Sequence, residues 1–283
     1  MIVSASRRTD IPCYYSEWLM NRLKAKYALF RNPMNRKQII RAPLNKDETD
    51  CIVFWTKDAK NLLPHLDAID KTCIPYYFQF TVTPYDDRLE KSLRNKKDII
   101  ETFQTLSRRI GAQKVLWRYD PIILNDFLTM QYHKEQFKRL CIKLGGYTES
   151  VTVSFIDLYA KLKTPLLRAV SDDEIAELAA YIGQTAKAHG LIPKACCETY
   201  DLSPFGIVKA SCIDKNLIGS ISTAKLPVRK DPNQRKGCLC AMSMDIGAYN
   251  TCLNGCVYCY ANHSEKSIQK NLSAHDPMGE MLI

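Results

Sequence analysis

The 283-residue sequence has no uncharged apolar run approaching the ~18 residues that a membrane span requires. Its first ten residues include Arg7, Arg8 and Asp10 and lack the apolar centre of a secretory signal, so a cytoplasmic protein with no membrane partner is expected. Internal repeats, low-complexity tracts and a linker-like shift in composition are also missing, and the chain reads as one domain over residues 1–283. Histidine is scarce at five, and His263 and His275 lack the paired spacing of a zinc site. No helix-turn-helix or RNA-recognition signature occurs, which leaves nucleic acid an open but weak partner. What remains is an ordinary globular composition, 46% hydrophobic and 25% charged, which excludes bulk disorder.

Two features stand out from that background. The formal charge of +10, from 40 basic and 30 acidic residues, points to an anionic substrate or partner. Basic residues concentrate in the first fifty positions, in residues 88–118, and in the loop 223–237, which holds Lys225, Arg229, Lys230, Arg235 and Lys236. A solvated helix face is the default reading of such runs. The second feature is twelve cysteines in a chain with no export signal, where disulfides are not expected. Cys13, Cys51, Cys73 and Cys141 are scattered and read as small buried hydrophobes, whereas the other eight lie between Cys196 and Cys259. Such clustering points to metal.

Short β-rich runs at residues 2–6, 51–56, 76–82, 114–119, 150–155, 191–196 and 207–212 alternate with helical patterns. The helical patterns cover residues 16–27, 58–70, 96–110, 132–144 and 171–189, the last opening with a capping box from Ser171 to Glu174. A hairpin around Asn32-Pro33 occupies residues 27–42. Strand alternating with helix implies parallel strands joined by crossovers. An eighth strand at residues 241–249 and a helix at 261–272 complete the count of a (β/α)8 TIM-like barrel, closed or partly closed. An open doubly wound sheet is the competing arrangement.

The densest cysteines read Cys252-Leu-Asn-Gly-Cys256-Val-Tyr-Cys259-Tyr, within a cysteine-rich segment at residues 238–263. Three thiolates at C-x3-C-x2-C on one loop suit three irons of a [4Fe–4S] cluster and leave the fourth iron open. Gly255 lets the loop fold back, and Tyr258 is placed to cover a cluster face. Zinc is the alternative, although only one C-x2-C is present. A redox pair of Cys256 and Cys259 leaves Cys252 unexplained. Cys197, Cys212, Cys238 and Cys240 fall near adjacent strands and form a candidate second [4Fe–4S] cluster. Cys196 is expected to face the core, because neighbouring strand residues point oppositely. A small zinc site or plain buried thiols are the alternatives there.

The C-x3-C-x2-C spacing resembles that of radical S-adenosylmethionine (SAM) enzymes, down to the aromatic residue before the last cysteine. Four further stretches accompany it: Ser4-Ala-Ser-Arg7-Arg8-Thr9-Asp10-Ile-Pro12, Phe54-Trp-Thr-Lys57, Trp117-Arg-Tyr-Asp120-Pro and Asp245-Ile-Gly-Ala-Tyr249-Asn-Thr-Cys252. With these the chain is similar to bacterial domain-of-unknown-function family 1848, noted for C-terminal cysteines like those of radical SAM proteins. The radical SAM resemblance implies that S-adenosyl-L-methionine binds the open iron and that a reductant such as ferredoxin or flavodoxin supplies an electron. Hydrogen abstraction from an unknown substrate would follow. Because the motif lies late in the chain, the resemblance also implies a barrel circularly permuted relative to radical SAM barrels, with residues 241–249 pairing beside residues 2–6.

Reactive groups in barrels sit where strands end. Those positions here offer Arg7, Arg8, Asp10, Lys57, Arg118, Asp120 and Glu198 as candidate catalytic residues. Arg7, Arg8 or Arg118 would pair with the SAM carboxylate, and Glu198 or Asp120 would accept from ribose hydroxyls. A surface ion pair or a helix cap is the alternative for each. Two other function classes stay open: an iron–sulfur electron carrier or sensor that binds no SAM, and a zinc-containing nucleic-acid-binding protein.

Overall fold

The computed structural model describes residues 1–162, 164–222, 229–235 and 237–283, so Lys225 and Lys236 of the basic loop lie outside the described residues. In chain order the strands are β1 (Ile2–Ala5), β2 (Tyr27–Asn32), β3 (Asn35–Pro43), β4 (Cys51–Thr56), β5 (Tyr76–Thr81), β6 (Val115–Ile122), β7 (Ser150–Phe155), β8 (Ile192–Ala195), β9 (Val208–Lys209) and β10 (Met244–Asp245). The helices are α1 (Ile11–Tyr14), α2 (Ser16–Ala25), α3 (Leu66–Asp70), α4 (Lys96–Ile110), α5 (Met130–Leu144), α6 (Asp172–Ala188), α7 (Lys215–Ile221) and α8 (Glu265–Ser273). The expected hairpin is β2–β3, paired antiparallel as a separate two-stranded sheet. The capping box of α6 is present, with the Ser171 hydroxyl accepting from Glu174 N and the Glu174 carboxylate accepting from Ser171 N.

The remaining eight strands form one parallel sheet in the order β10-β1-β4-β5-β6-β7-β8-β9. Aromatic and β-branched residues fill β4, β5 and β7 and are buried on both sides, as parallel strands covered on two faces require. The order never reverses, so the sheet is not doubly wound. Right-handed crossovers that always add the next strand in the same direction leave their helices on one face. That face packs Val3, Phe54, Phe78 and Trp117 against Leu19, Phe103, Phe137 and Ile182 of the helices. The alternate residues of the same strands, including Ser4, Trp55, Gln79 and Arg118, turn to the other face and carry the polar groups of the site.

The expected closed or partly closed barrel is not formed. Strands β9 and β10 are the two edges of an open sheet, each two residues long, and no ladder joins them among the described residues. The segments beside them do meet, through a hydrogen bond from Ala241 N to Ile213 O at 3.0 Å. The next donors, however, are turned to sulfur: Cys212 N and Ile213 N both point at Cys240 Sγ, at 3.3 and 3.5 Å. A backbone donor given to a thiol cannot extend a strand ladder, and closure stops there. The permuted barrel falls with closure, but the pairing it invoked is present. Met244 lies beside Val3 and Asp245 beside Ser4 in parallel register, so the two chain ends share one sheet.

Candidate functional site

Past β10 the chain runs close under the N-terminal strand. A Cβ at Gly247 would lie 2.0 Å from Ser6 Oγ. Asp245 locks this approach by accepting from Ser4 Oγ, Ser6 Oγ and Arg7 N. The cysteine motif then forms a strap over residues 252–259. Val257 N donates to Leu89 O at 3.0 Å and Ser92 N to Asn254 O at 3.2 Å, which clamps the strap to the segment after β5. Gly255 makes the bend with φ +66°, a left-handed conformation that other residues adopt only with strain. A Cβ there would also come within 3.1 Å of Lys91.

Polar side chains hold the strap from beneath. Asn254, 4% exposed, accepts from Tyr14 Oη at 2.9 Å and donates to Asp10 Oδ2 at 3.2 Å. Asp10 also accepts from Lys57 N at 2.7 Å and from Cys13 N, the latter as the N-cap of α1. Burial pushes its carboxyl up to about 6, against the pull of those donors. Glu90 is the second anchor, its side chain fully buried, and nothing in the sequence singles it out. It accepts from Lys57 Nζ and Thr83 Oγ1, both at 2.8 Å, and from Lys96 Nζ and the Tyr258 hydroxyl. Burial alone would raise the Glu90 carboxyl, but the two ammonium groups outweigh it and hold it at about 2.

A cavity of about 550 Å³ opens at the strand ends, within the range of small-molecule sites. Its lining includes Arg7, Arg8, Asp10, Lys57, Arg118 and Asp120, together with Cys252, Cys256, Cys259 and Tyr258. The other clustered thiols, Cys196, Cys197, Cys212, Cys238 and Cys240, line it as well. Glu198 does not: its carboxylate accepts from Phe155 N at 3.1 Å, and burial pushes it up to about 7. Cys196 departs from the expectation that it faces the core. It is half-buried at the cavity wall with its sulfur 2.8 Å from that of Cys212. Strand β8 ends at Ala195, so strand alternation no longer governs the next residue.

The three arginines are not equivalent. Arg118 is committed, bonding Asp120, Gln79 Oε1 and Cys212 Sγ. Arg8 turns to Gly247 O and lies over the Tyr249 ring. Arg7 and Arg118 both stack on Trp55, at 5.2 and 5.4 Å, and Nη2 of Arg7 is buried without a partner among the described residues. Trp55 carries no signal of its own in the sequence, and only its place opposite the helix-facing Phe54 marks it as a cavity residue.

Burial pushes the Cys252 thiol up to about 12 and raises that of Cys256, while the Lys57 ammonium pulls Cys256 the other way. No three His, Cys, Asp or Glu side chains among the described residues are placed to hold a single metal ion. The donor chemistry nevertheless suits a cluster. Each thiolate of an iron–sulfur cube binds its own iron, so the ligands stand around the group rather than converging on a point. Three thiols on one strap beside the cation of Lys57 fit that requirement.

No helix among the described residues is long and apolar enough to cross a membrane. The family described as domain of unknown function DUF1848 matches residues 2–261, and the chain belongs to it. No curated protein and no solved structure matches the chain.

Proposed function

We propose that the protein is an iron–sulfur enzyme of the radical SAM type. In this reading Cys252, Cys256 and Cys259 hold a [4Fe–4S] cluster whose fourth iron takes S-adenosyl-L-methionine. The observation that carries the reading is the meeting, in one cavity, of the C-x3-C-x2-C thiols with an arginine whose buried Nη2 lacks a partner among the described residues. When bound and reduced by a carrier such as ferredoxin or flavodoxin, the cluster supplies one electron for breaking a carbon–sulfur bond of SAM, which starts hydrogen abstraction from an anionic substrate.

The chain's own residues bind and orient. Arg7 offers its free guanidinium edge to a carboxylate, and Trp55 fixes the plane of that guanidinium. Lys57 sets a positive charge beside Cys256 and is itself held by Glu90. Tyr258 is tied through its hydroxyl to Glu90 and lies beneath the Lys57 ammonium at 5.5 Å, which keeps the strap in one position. Asp120, fixed by Arg118 and Ser154, presents a second acceptor to the cavity.

The test is anaerobic reconstitution followed by SAM and a strong reductant, with 5′-deoxyadenosine measured by chromatography. Reductive release supports the enzyme. Fully loaded protein that releases none is the electron carrier or sensor instead. Protein that takes up stoichiometric zinc and no iron overturns both in favour of the zinc reading.

A further inference from the structure

We infer that Cys196, Cys212, Cys238 and Cys240 form a second iron–sulfur site, closed by four thiolates and built from elements separate from the Cys252–Cys259 strap. Cys196 follows β8, Cys212 follows the neighbouring β9, and Cys238 and Cys240 precede β10 at the far edge of the sheet. The last pair reaches the others because the chain before β10 folds back. Cys238 N donates to Arg235 O at 2.9 Å, Asp231 N to Cys240 O at 3.0 Å, and Ala241 N to Ile213 O. The sulfurs of Cys196 and Cys212 then lie 2.8 Å apart, and Cys240 Sγ takes the backbone donors of Cys212 and Ile213, so a cube entering between the three would spread them to separate irons.

The hydrogen bonds aimed at these sulfurs carry the argument. Cys240 Sγ receives Cys212 N and Ile213 N, Cys238 Sγ receives Cys240 N at 3.5 Å, and Cys212 Sγ receives Arg118 Nη1 at 2.9 Å. A neutral thiol is a weak acceptor, and buried backbone donors ordinarily find stronger ones. Four donors converging on three buried sulfurs suit sulfur that carries negative charge, as a cysteinate bound to iron does. The Arg118 guanidinium supplies a neighbouring cation. Nor is this a zinc knuckle: the spacing is one C-x-C and two singletons, without the C-x2-C pairs of such sites. Cys197 is excluded from the ligand set. Cys196 is taken in its place because its sulfur is the one in contact with that of Cys212.

The test is the triple variant Cys252→Ala, Cys256→Ala, Cys259→Ala, reconstituted anaerobically with ferrous iron and sulfide. It should hold roughly four irons and four acid-labile sulfides per chain, against roughly eight of each in the parent. Adding Cys196→Ala or Cys212→Ser should remove them, whereas adding Cys197→Ala should leave them. Should the triple variant fail to fold, Cys196→Ala/Cys212→Ser in the native chain should halve the iron and keep the reduced-cluster signal that SAM shifts. Folded triple variant without iron, zinc bound without sulfide, or iron lost on Cys197→Ala instead of Cys196→Ala each overturns the inference. The strap reading fails separately: the parent would then carry no more iron than the triple variant.

Discussion

Glu90 offers the sharpest test of how the strap is held. Its side chain is fully buried and accepts from two ammonium groups and two hydroxyls. Glu90→Gln keeps the shape but removes the negative charge. It leaves Lys57, with 13% side-chain exposure, and the partly exposed Lys96 without a counter-charge. Breaking a buried ion pair from one side costs about 3–5 kcal/mol, because the surviving charge stays desolvated. Lys96 can reach water at 27% exposure and shed part of that penalty, so the lower end, about 3 kcal/mol, is expected. Urea unfolding should show the midpoint falling with the slope unchanged. The second variant, Glu90→Gln/Lys57→Met, removes the stranded cation along with the acid and should recover about half of the loss. Iron loading should fall in Glu90→Gln as well, since Tyr258 loses its anchor and Val257 is bonded beside it to Leu89. A loss below about 1 kcal/mol, the size of a surface pair, would show that Glu90 is not the counter-charge the geometry makes it.

Cys256→Ala should abolish the SAM-responsive cluster signal yet leave the thermal midpoint of the apo protein within a few degrees, because Val257, Ser92 and Asn254 still clamp the strap. Persistence of a reduced-cluster signal that SAM shifts would refute the ligand assignment. Arg7→Met should raise the SAM concentration needed to shift that signal roughly ten- to hundredfold, the worth of a charged hydrogen bond, with iron content unchanged. Unchanged SAM affinity would remove Arg7 from the carboxylate site. His133 is fully buried, with Nδ1 beside the Tyr119 hydroxyl at 2.7 Å and Nε2 beside Ile123 O at 2.8 Å, an arrangement that the neutral ring satisfies on both sides. Burial lowers it from 6.5 to about 4. The unfolded chain therefore takes up the proton first, and the stability present above pH 6.5 is lost as the pH falls toward 4. That loss should total about 3 kcal/mol and be absent in a folded His133→Gln variant, as urea titrations between pH 7 and 4 will show. An equal slope in the variant would refute the assignment.

Local patterns in the chain were legible, and long-range closures were not. Residues 51–56, 96–110 and 150–155 match their elements end for end, because aromatic and β-branched runs and the 3.6-residue period act within a few neighbours. The strap was legible for the same reason, its three thiols being set by spacing along one loop. Barrel closure rested on whether two distant edge segments would build a ladder, and only the folded chain shows their donors spent on Cys240. Glu90 gave no signal either. One acid among the many bases of residues 88–118 looks solvated, and its four partners come from four separate segments. The placement of Cys196 is the most instructive case. Alternation places neighbours on opposite faces only while the strand continues. Here the strand stops one residue early, the left-handed Cys197 turns the chain, and the thiol read as core becomes the one that touches Cys212. Where a strand ends therefore decides which of two adjacent cysteines meets Cys212, and a shift of one residue in that boundary reverses the choice.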